Sequence, residues 1–106
     1  MADYKQSTVA GTAWQRCSEV RIANPYQGFG GTPLVTFGEE QIINVGGKYV
    51  RQYVGELHKG FDPAATIAML NPVTGESLGT TVTHGELYAI LFSLYMQTAQ
   101  ERDAAQ

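Results

Sequence analysis

The chain closes on TVTHGELYAILFSLYMQTAQERDAAQ, residues 81–106, and how its apolar run is covered decides the fold. From Leu87 to Met96, Ser93 is the one hydrophilic side chain. The run is well short of the ~20 residues a membrane-spanning helix needs, yet too apolar for an ordinary surface helix. Its beginning is marked. Thr83-His84-Gly85-Glu86 has the spacing of a capping box, in which the Thr83 hydroxyl accepts from the amide of Glu86 and the Glu86 carboxylate accepts from the amide of Thr83. Val82 and Leu87 stand where a hydrophobic staple closes over such a cap, and Glu86 complements the positive end of a helix. The spacing predicts a helix over about 84–103, roughly 30 Å long.

On a helical wheel Ile90, Leu94, Leu87, Leu91, Tyr95 and Tyr88 form one stripe, enough to seal a face of a small sheet. Phe92, Met96 and Ala89 carry the apolar surface round the other side, leaving Ser93, Gln97 and Gln100 as a narrow polar edge. One antiparallel sheet cannot cover so wide an arc. Either a second sheet of the same chain wraps the helix, or another subunit does. A covering subunit is expected: the stripe packs inward, and Phe92 and Met96, with Tyr88, meet a partner.

Upstream the pattern is β. In AWQRCSEVRIANP (13–25), Trp14, Val20 and Ile22 share one parity and Glu19 and Arg21 the other, ahead of an Asn24-Pro25 turn signal. YQGFGGT (26–32) is a glycine-rich loop whose Tyr26 and Phe29 are candidate contact residues; folding back over the core edge is their other fate. In PLVTFGEEQIINV (33–45), Val35, Phe37, Ile43 and Val45 share a face. Gly46-Gly47 then joins two β-rich runs and supplies the positive φ angles of a type I′ hairpin turn. Folding there sets Ile43 opposite Val50, Glu39 opposite Val54, Ile42 opposite Arg51 and Glu40 opposite Tyr53. For residues 65–82 a strand, the turn NPVTGE and a second strand are expected, although Asp62-Pro63 also suits the start of a short helix.

The fold class expected is therefore α+β: mainly antiparallel β, five or six strands in one sheet or two packed as a β-sandwich, with a single C-terminal helix. A length of 106 residues suits one domain, here 11–106 behind a flexible, polar arm at 1–10. Such a chain buries roughly 65% of the surface it exposes unfolded.

Composition narrows the function. Cys17 is the one cysteine, which rules out an internal disulfide and a cysteine-rich zinc site. MADYKQS lacks the basic and apolar regions of a signal peptide, so a reducing cytoplasm is the expected place of folding. The net charge is −3 and the basic residues are scattered, so no phosphate-binding cluster forms and a nucleic-acid partner is not expected. No membrane contact is expected either. Charged residues make up 16% of the chain against about 25% in a typical domain. Scarce charge beside plentiful aromatics marks the centres of protein interfaces, although a monomer with a Thr/Gln/Ser surface has the same composition.

Catalytic arrangements find little support. His58 and His84 are not at a ligand spacing, and both are expected to face solvent. Cys17 has no reactive neighbourhood and reads as a structural cysteine. Glu39 and Glu40 point to opposite faces of a strand unless a bulge intervenes, so they do not form a catalytic pair. GFGGT lacks the Gly-Lys-Ser/Thr ending of a phosphate loop. No enzyme activity, metal or cofactor is expected.

GTAWQRCSEVRIANP (11–25) and FDPAATIAMLNPVTGESLGTTVTHGELYAILFSLYMQTAQERDAAQ (61–106), with the Thr-rich hairpins between, resemble a group of small proteins encoded by tailed bacteriophages and prophages. The likeness is one of texture and order over most of the chain, not of a catalytic motif. It implies a virion structural protein, made in the host cytoplasm and placed in the tail or its baseplate, with a capsid decoration protein as a variant. Its partners would be other virion proteins or copies of itself, reached through Tyr26, Phe29, Tyr88, Phe92 and Met96. A different class remains beside it: a small β domain binding a carbohydrate or other small ligand through Trp14, Tyr49 and Tyr53.

Overall fold

The computed structural model describes residues 5–9 and 11–105. Its elements are β1 (Lys5–Val9), β2 (Gly11–Ala23), a 3-10 turn at Gln27–Phe29, β3 (Leu34–Val45), β4 (Lys48–Gly60), β5 (Thr66–Leu70), β6 (Ser77–Thr83) and α1 (His84–Ala104). They form a four-stranded sheet in the order β1-β2-β3-β4, a separate β5-β6 hairpin, and one C-terminal helix. The α+β class is as expected. The chain divides into two compact units, Met1–Phe61 with Asn71–Glu76, and Asp62–Leu70 with Ser77–Gln106.

The first unit is an antiparallel meander. Gly46 and Gly47, at φ 58° and 84°, make the predicted turn between β3 and β4. The register sets Ile43 against Val50, Ile42 against Arg51 and Glu40 against Tyr53 as expected. One expected pair fails: Glu39 lies opposite Gly55, not Val54, because a β-bulge inserts Val54 between the partners of Glu39 and Glu40. β2 carries a second bulge at Ser18, whose hydroxyl donates to the Gly38 carbonyl at 3.3 Å. Both neighbours of β3 thus bulge beside Glu39.

Residues 5–9 of the expected flexible arm form β1 on the free edge of β2. Ladder hydrogen bonds use only backbone groups, so a polar segment can add to an edge without an apolar pattern of its own. The other residues of that arm, 1–4 and 10, lie outside the described ones. Gly11 admits nothing larger, since a Cβ there would sit 2.3 Å from the Asn44 carbonyl oxygen.

Strand alternation gives this sheet two unlike faces. One carries Ala13, Val20, Ile22, Val35, Phe37, Ile43, Val50 and Leu57, and the other the ion pairs described below. Only Ala13 and Val35 among the described apolar residues are buried, and no described large side chain is fully buried.

In the second unit, β5 and β6 pair antiparallel from Thr66 opposite Thr83 to Leu70 opposite Ser77. Asn71 shapes the connecting turn, its side chain accepting from the amides of Val73 and Thr74 at 2.8 and 3.2 Å. Thr83 ends β6 and is itself the N-cap of α1, with no loop between them. The capping box is complete. The Glu86 amide donates to Thr83 Oγ1 at 3.1 Å, and the Thr83 amide donates to Glu86 Oε1 at 3.0 Å. His84 is buried where an exposed residue was expected. The chain entering β5 runs alongside it, so that the His84 and Gly85 amides donate to the carbonyls of Ala65 and Pro63.

Replacing Thr83 with Ala removes the cap and should cost about 1 kcal/mol, whereas Thr83→Ser should be near neutral. Urea unfolding followed by far-UV circular dichroism measures the difference; equal midpoints for Ala and wild type would show that the cap contributes nothing.

Candidate functional site

Three features set the chain apart: two carry exposed apolar or aromatic side chains, and one is an ion cluster around a buried carboxylate. The first is α1. Its inward stripe is narrower than the wheel suggests: Leu87, Tyr88 and Leu91 are half-buried, whereas Ile90, Leu94 and Tyr95 are 61%, 56% and 62% exposed. The expectation that all six pack inward is corrected. A two-stranded hairpin is narrower than a helix of this length needs, and the loop-free junction at Thr83 leaves no spare chain to fold α1 back. Phe92 and Met96, on the side assigned to a partner, are exposed as well, Met96 the less of the two. Apolar side chains therefore face outward round most of the helix. Tyr88, the third helical candidate, sits deeper, and burial pushes its phenol pKa up.

The second feature is the loop after β2. A 3-10 turn, closed by the Phe29 amide donating to the Tyr26 carbonyl at 2.9 Å, holds the two rings 5.6 Å apart at a tilt of 58°. They touch each other and otherwise face outward, Tyr26 74% and Phe29 89% exposed. Of the two fates open to these rings, the structure takes the exposed one. Such an aromatic pair is already in a favourable tilted geometry, so a partner would meet a shaped knob.

The third feature was not anticipated from sequence. On the polar face of the sheet, Glu40 is buried between two arginines. Arg16 Nη1 donates to Oε1 at 2.8 Å and Arg51 Nε donates to Oε2 at 2.9 Å, with Arg51 Nη2 in an ion pair 2.9 Å from the same oxygen. The Arg51 hydrogen bonds hold the Glu40 carboxyl below the usual carboxylate range; burial opposes this and the Arg16 hydrogen bond adds to it. Further along the same face Arg21 pairs with Glu19 at 2.7 Å and with Glu56. Trp14, Tyr49 and Tyr53 share this face, because Trp14 pairs with Ile42, which pairs with Arg51, and Tyr49 and Tyr53 flank Arg51. The ion cluster depends on the β2–β3 register, which a long connection leaves open in the sequence. The one available signal is that Arg51 and Glu40 share a face across the glycine hairpin.

The other candidates stand apart. Glu39 accepts from Gln15 Nε2 at 3.3 Å, on the face opposite Glu40, as the alternation predicts. Cys17 is half-buried, its thiol donating to the Glu19 carbonyl at 3.4 Å. His58 is exposed, as expected, within 3.0 Å of the Thr36 hydroxyl. Among the described residues no three His, Cys, Asp or Glu side chains converge on a metal position. None of the described helices is long and apolar enough to cross a membrane.

No protein-family model, curated protein or solved structure matches this chain.

The Glu40 cluster has a signed pH dependence. A carboxyl whose pKa is lower folded than unfolded adds stability above its unfolded value, about 4.3, and that stability is lost as pH falls through the folded value. The urea midpoint of the wild type should therefore drop between neutral and strongly acid pH, and Glu40→Gln should flatten part of that drop. Parallel curves for the two proteins would show that Glu40 does not contribute.

Proposed function

We propose that this chain is a structural subunit of a tailed-bacteriophage virion, made in the host cytoplasm and built into the tail or baseplate. It acts through contacts with other virion proteins and copies of itself, and not as an enzyme. The observation that carries the assembly reading is the uncovered apolar circumference of α1. Fully burying one large apolar side chain is worth roughly 1.5–3 kcal/mol, so covering Ile90, Phe92, Leu94 and Tyr95 at their present exposure amounts to several kcal/mol. An isolated hairpin is marginal in water, and a helix draws most of its stability from packing. The second unit therefore has much to gain from a neighbour. The Tyr26–Phe29 knob and the apolar face of the four-stranded sheet support the same reading. The virion context rests on the resemblance to small phage proteins, with a capsid decoration protein as the nearest variant.

Phe92→Glu should leave the circular dichroism of the isolated chain unchanged while lowering the yield of assembled particles at least tenfold. Loss of the helical signal would instead place Phe92 in the chain's own core. Normal particles from a genome lacking the gene would sink the structural reading.

One observation favours a second reading. The register brings Trp14, Tyr49 and Tyr53 onto a single face, with Arg51 between the tyrosines, an arrangement on which sugar rings could stack. Titrating intrinsic fluorescence against a panel of glycans tests it; a quench that disappears in Tyr53→Ala would support binding, and a flat response throughout would count against it.

A further inference from the structure

We infer that the sheet face bearing Trp14, Tyr49 and Tyr53 takes an acidic saccharide, with one sugar carboxylate seated on Arg51. The inference rests on the reading that sugars stack on this face, and it names the charge they carry.

Arg51 is a cation with an unused end. Its Nε donates to Glu40 Oε2 at 2.9 Å, and its Nη2 lies 2.9 Å from the same oxygen. Glu40 therefore occupies one edge of the planar guanidinium. The group has five N–H donors in a fixed fork, so the adjoining edge, formed by Nη1 and the outer N–H of Nη2, is directed away from Glu40. Among the described residues Nη1 has no acceptor. The Arg51 side chain is 75% exposed, which leaves that edge open to solvent. Two parallel N–H groups of this kind match the two oxygens of a carboxylate.

Charge favours an anion there. Glu40 is shared by Arg16 and Arg51, and one carboxylate does not neutralise two guanidiniums. Further along the same face the balance reverses, because Arg21 is shared by Glu19 and Glu56. An anionic ligand is thus directed to the Arg51 end. Little order is lost when it arrives. Glu40 is buried and held through its other oxygen by Arg16, so Arg51 is in place before binding.

The rings name the rest of the ligand. Tyr49 and Tyr53 stand two residues to either side of Arg51 on β4, before the bulge at Val54, so all three project from one face. The tyrosines are about 13 Å apart along the strand, and both are exposed. Trp14 lies level with Arg51 two strands away, about 10 Å across the sheet. The electron-rich faces of such rings suit the C–H faces of sugars, so an oligosaccharide can rest on both tyrosines with an acidic unit over Arg51. An acidic peptide is the poorer fit. Peptides add to sheet edges, where their backbone groups find partners, and this face offers side chains only. Phosphate chains call for several clustered cations, and here the surplus is a single charge.

Amide and arginine-side-chain NMR of the isotope-labelled full chain tests this, titrated with oligogalacturonate, oligoglucuronate and sialyllactose. Each is paired with a neutral counterpart: the methyl esters of the first two, and lactose for the third. At least one acidic member should bind at least fivefold tighter than its counterpart, shifting the Arg51 Nε–H and the amides of Tyr49 and Tyr53. Raising the salt concentration should narrow that ratio, because an exposed ion pair is screened. Arg51→Lys keeps the charge and loses the fork, so it should bring the ratio close to one, while Arg21→Gln should preserve it. Equal binding of acidic and neutral members would overturn the acidic preference and leave the stacking reading intact. Silence from every glycan at millimolar concentration would overturn both. Hexaglutamate bound as tightly as the best acidic glycan, or shifts confined to other parts of the chain, would overturn the assignment of a saccharide to this face.

Discussion

The exchange of hydrogen bonds between Thr83 and Glu86 governs what the chain presents to its surroundings. Thr83 closes β6 and starts α1 without a spacer, and Glu86 returns the bond from one turn inside the helix. With both partners satisfied, the helix begins at a defined residue and leaves its hairpin at once. The burial of His84 under the entry to β5 secures the same junction from the other side. Everything apolar beyond the first turns then depends on what else comes near, since the hairpin has only two strands to offer. The exposure of Ile90, Phe92, Leu94 and Tyr95 is a consequence of where the cap sits.

The four-stranded sheet solves a related problem differently. Its polar face is organised by one buried carboxylate with both oxygens taken by arginines, which pins β2, β3 and β4 together at one level. Charge-assisted hydrogen bonds of this kind are directional, and two bulges lie on the flanking strands beside Glu39, the next residue along β3. The apolar face has no comparable device. Ala13 and Val35 are buried there, while Val20, Val50 and Leu57 remain about half exposed, with no second layer in that unit. A sheet ordered by ions on one side and left open on the other is a surface prepared for company.

Much of this was legible in advance. The glycine hairpin, the turn at 71–76 and the capping box each have a local signature, because each is decided by backbone geometry within a few residues. The exposure of Tyr26 and Phe29 was open in the sequence, where a glycine-rich loop allows the rings to project or to fold back, and the structure takes the first. The Glu40 cluster was not legible. Arg16 reaches it only through a register that a ten-residue connection does not specify, and bulges at Ser18 and Val54 move partners by one place. The inward stripe on α1 is narrower than its six residues for the opposite reason, since a wheel shows which residues could be covered and says nothing of how much cover there is.

By itself the sequence determined the elements from β2 onward and their order: strands where apolar and polar residues alternate, a hairpin at Gly46-Gly47, and a helix from Thr83 onward whose girth is apolar nearly all round. These follow from local sterics and hydrogen bonding. Only the tertiary structure decided which strands meet, that Glu40 lies between Arg16 and Arg51, and that most of the apolar surface of α1 faces outward. Those outcomes depend on pairing between distant segments and on the width of the layer each unit can assemble, and neither is encoded within any single stretch of the chain.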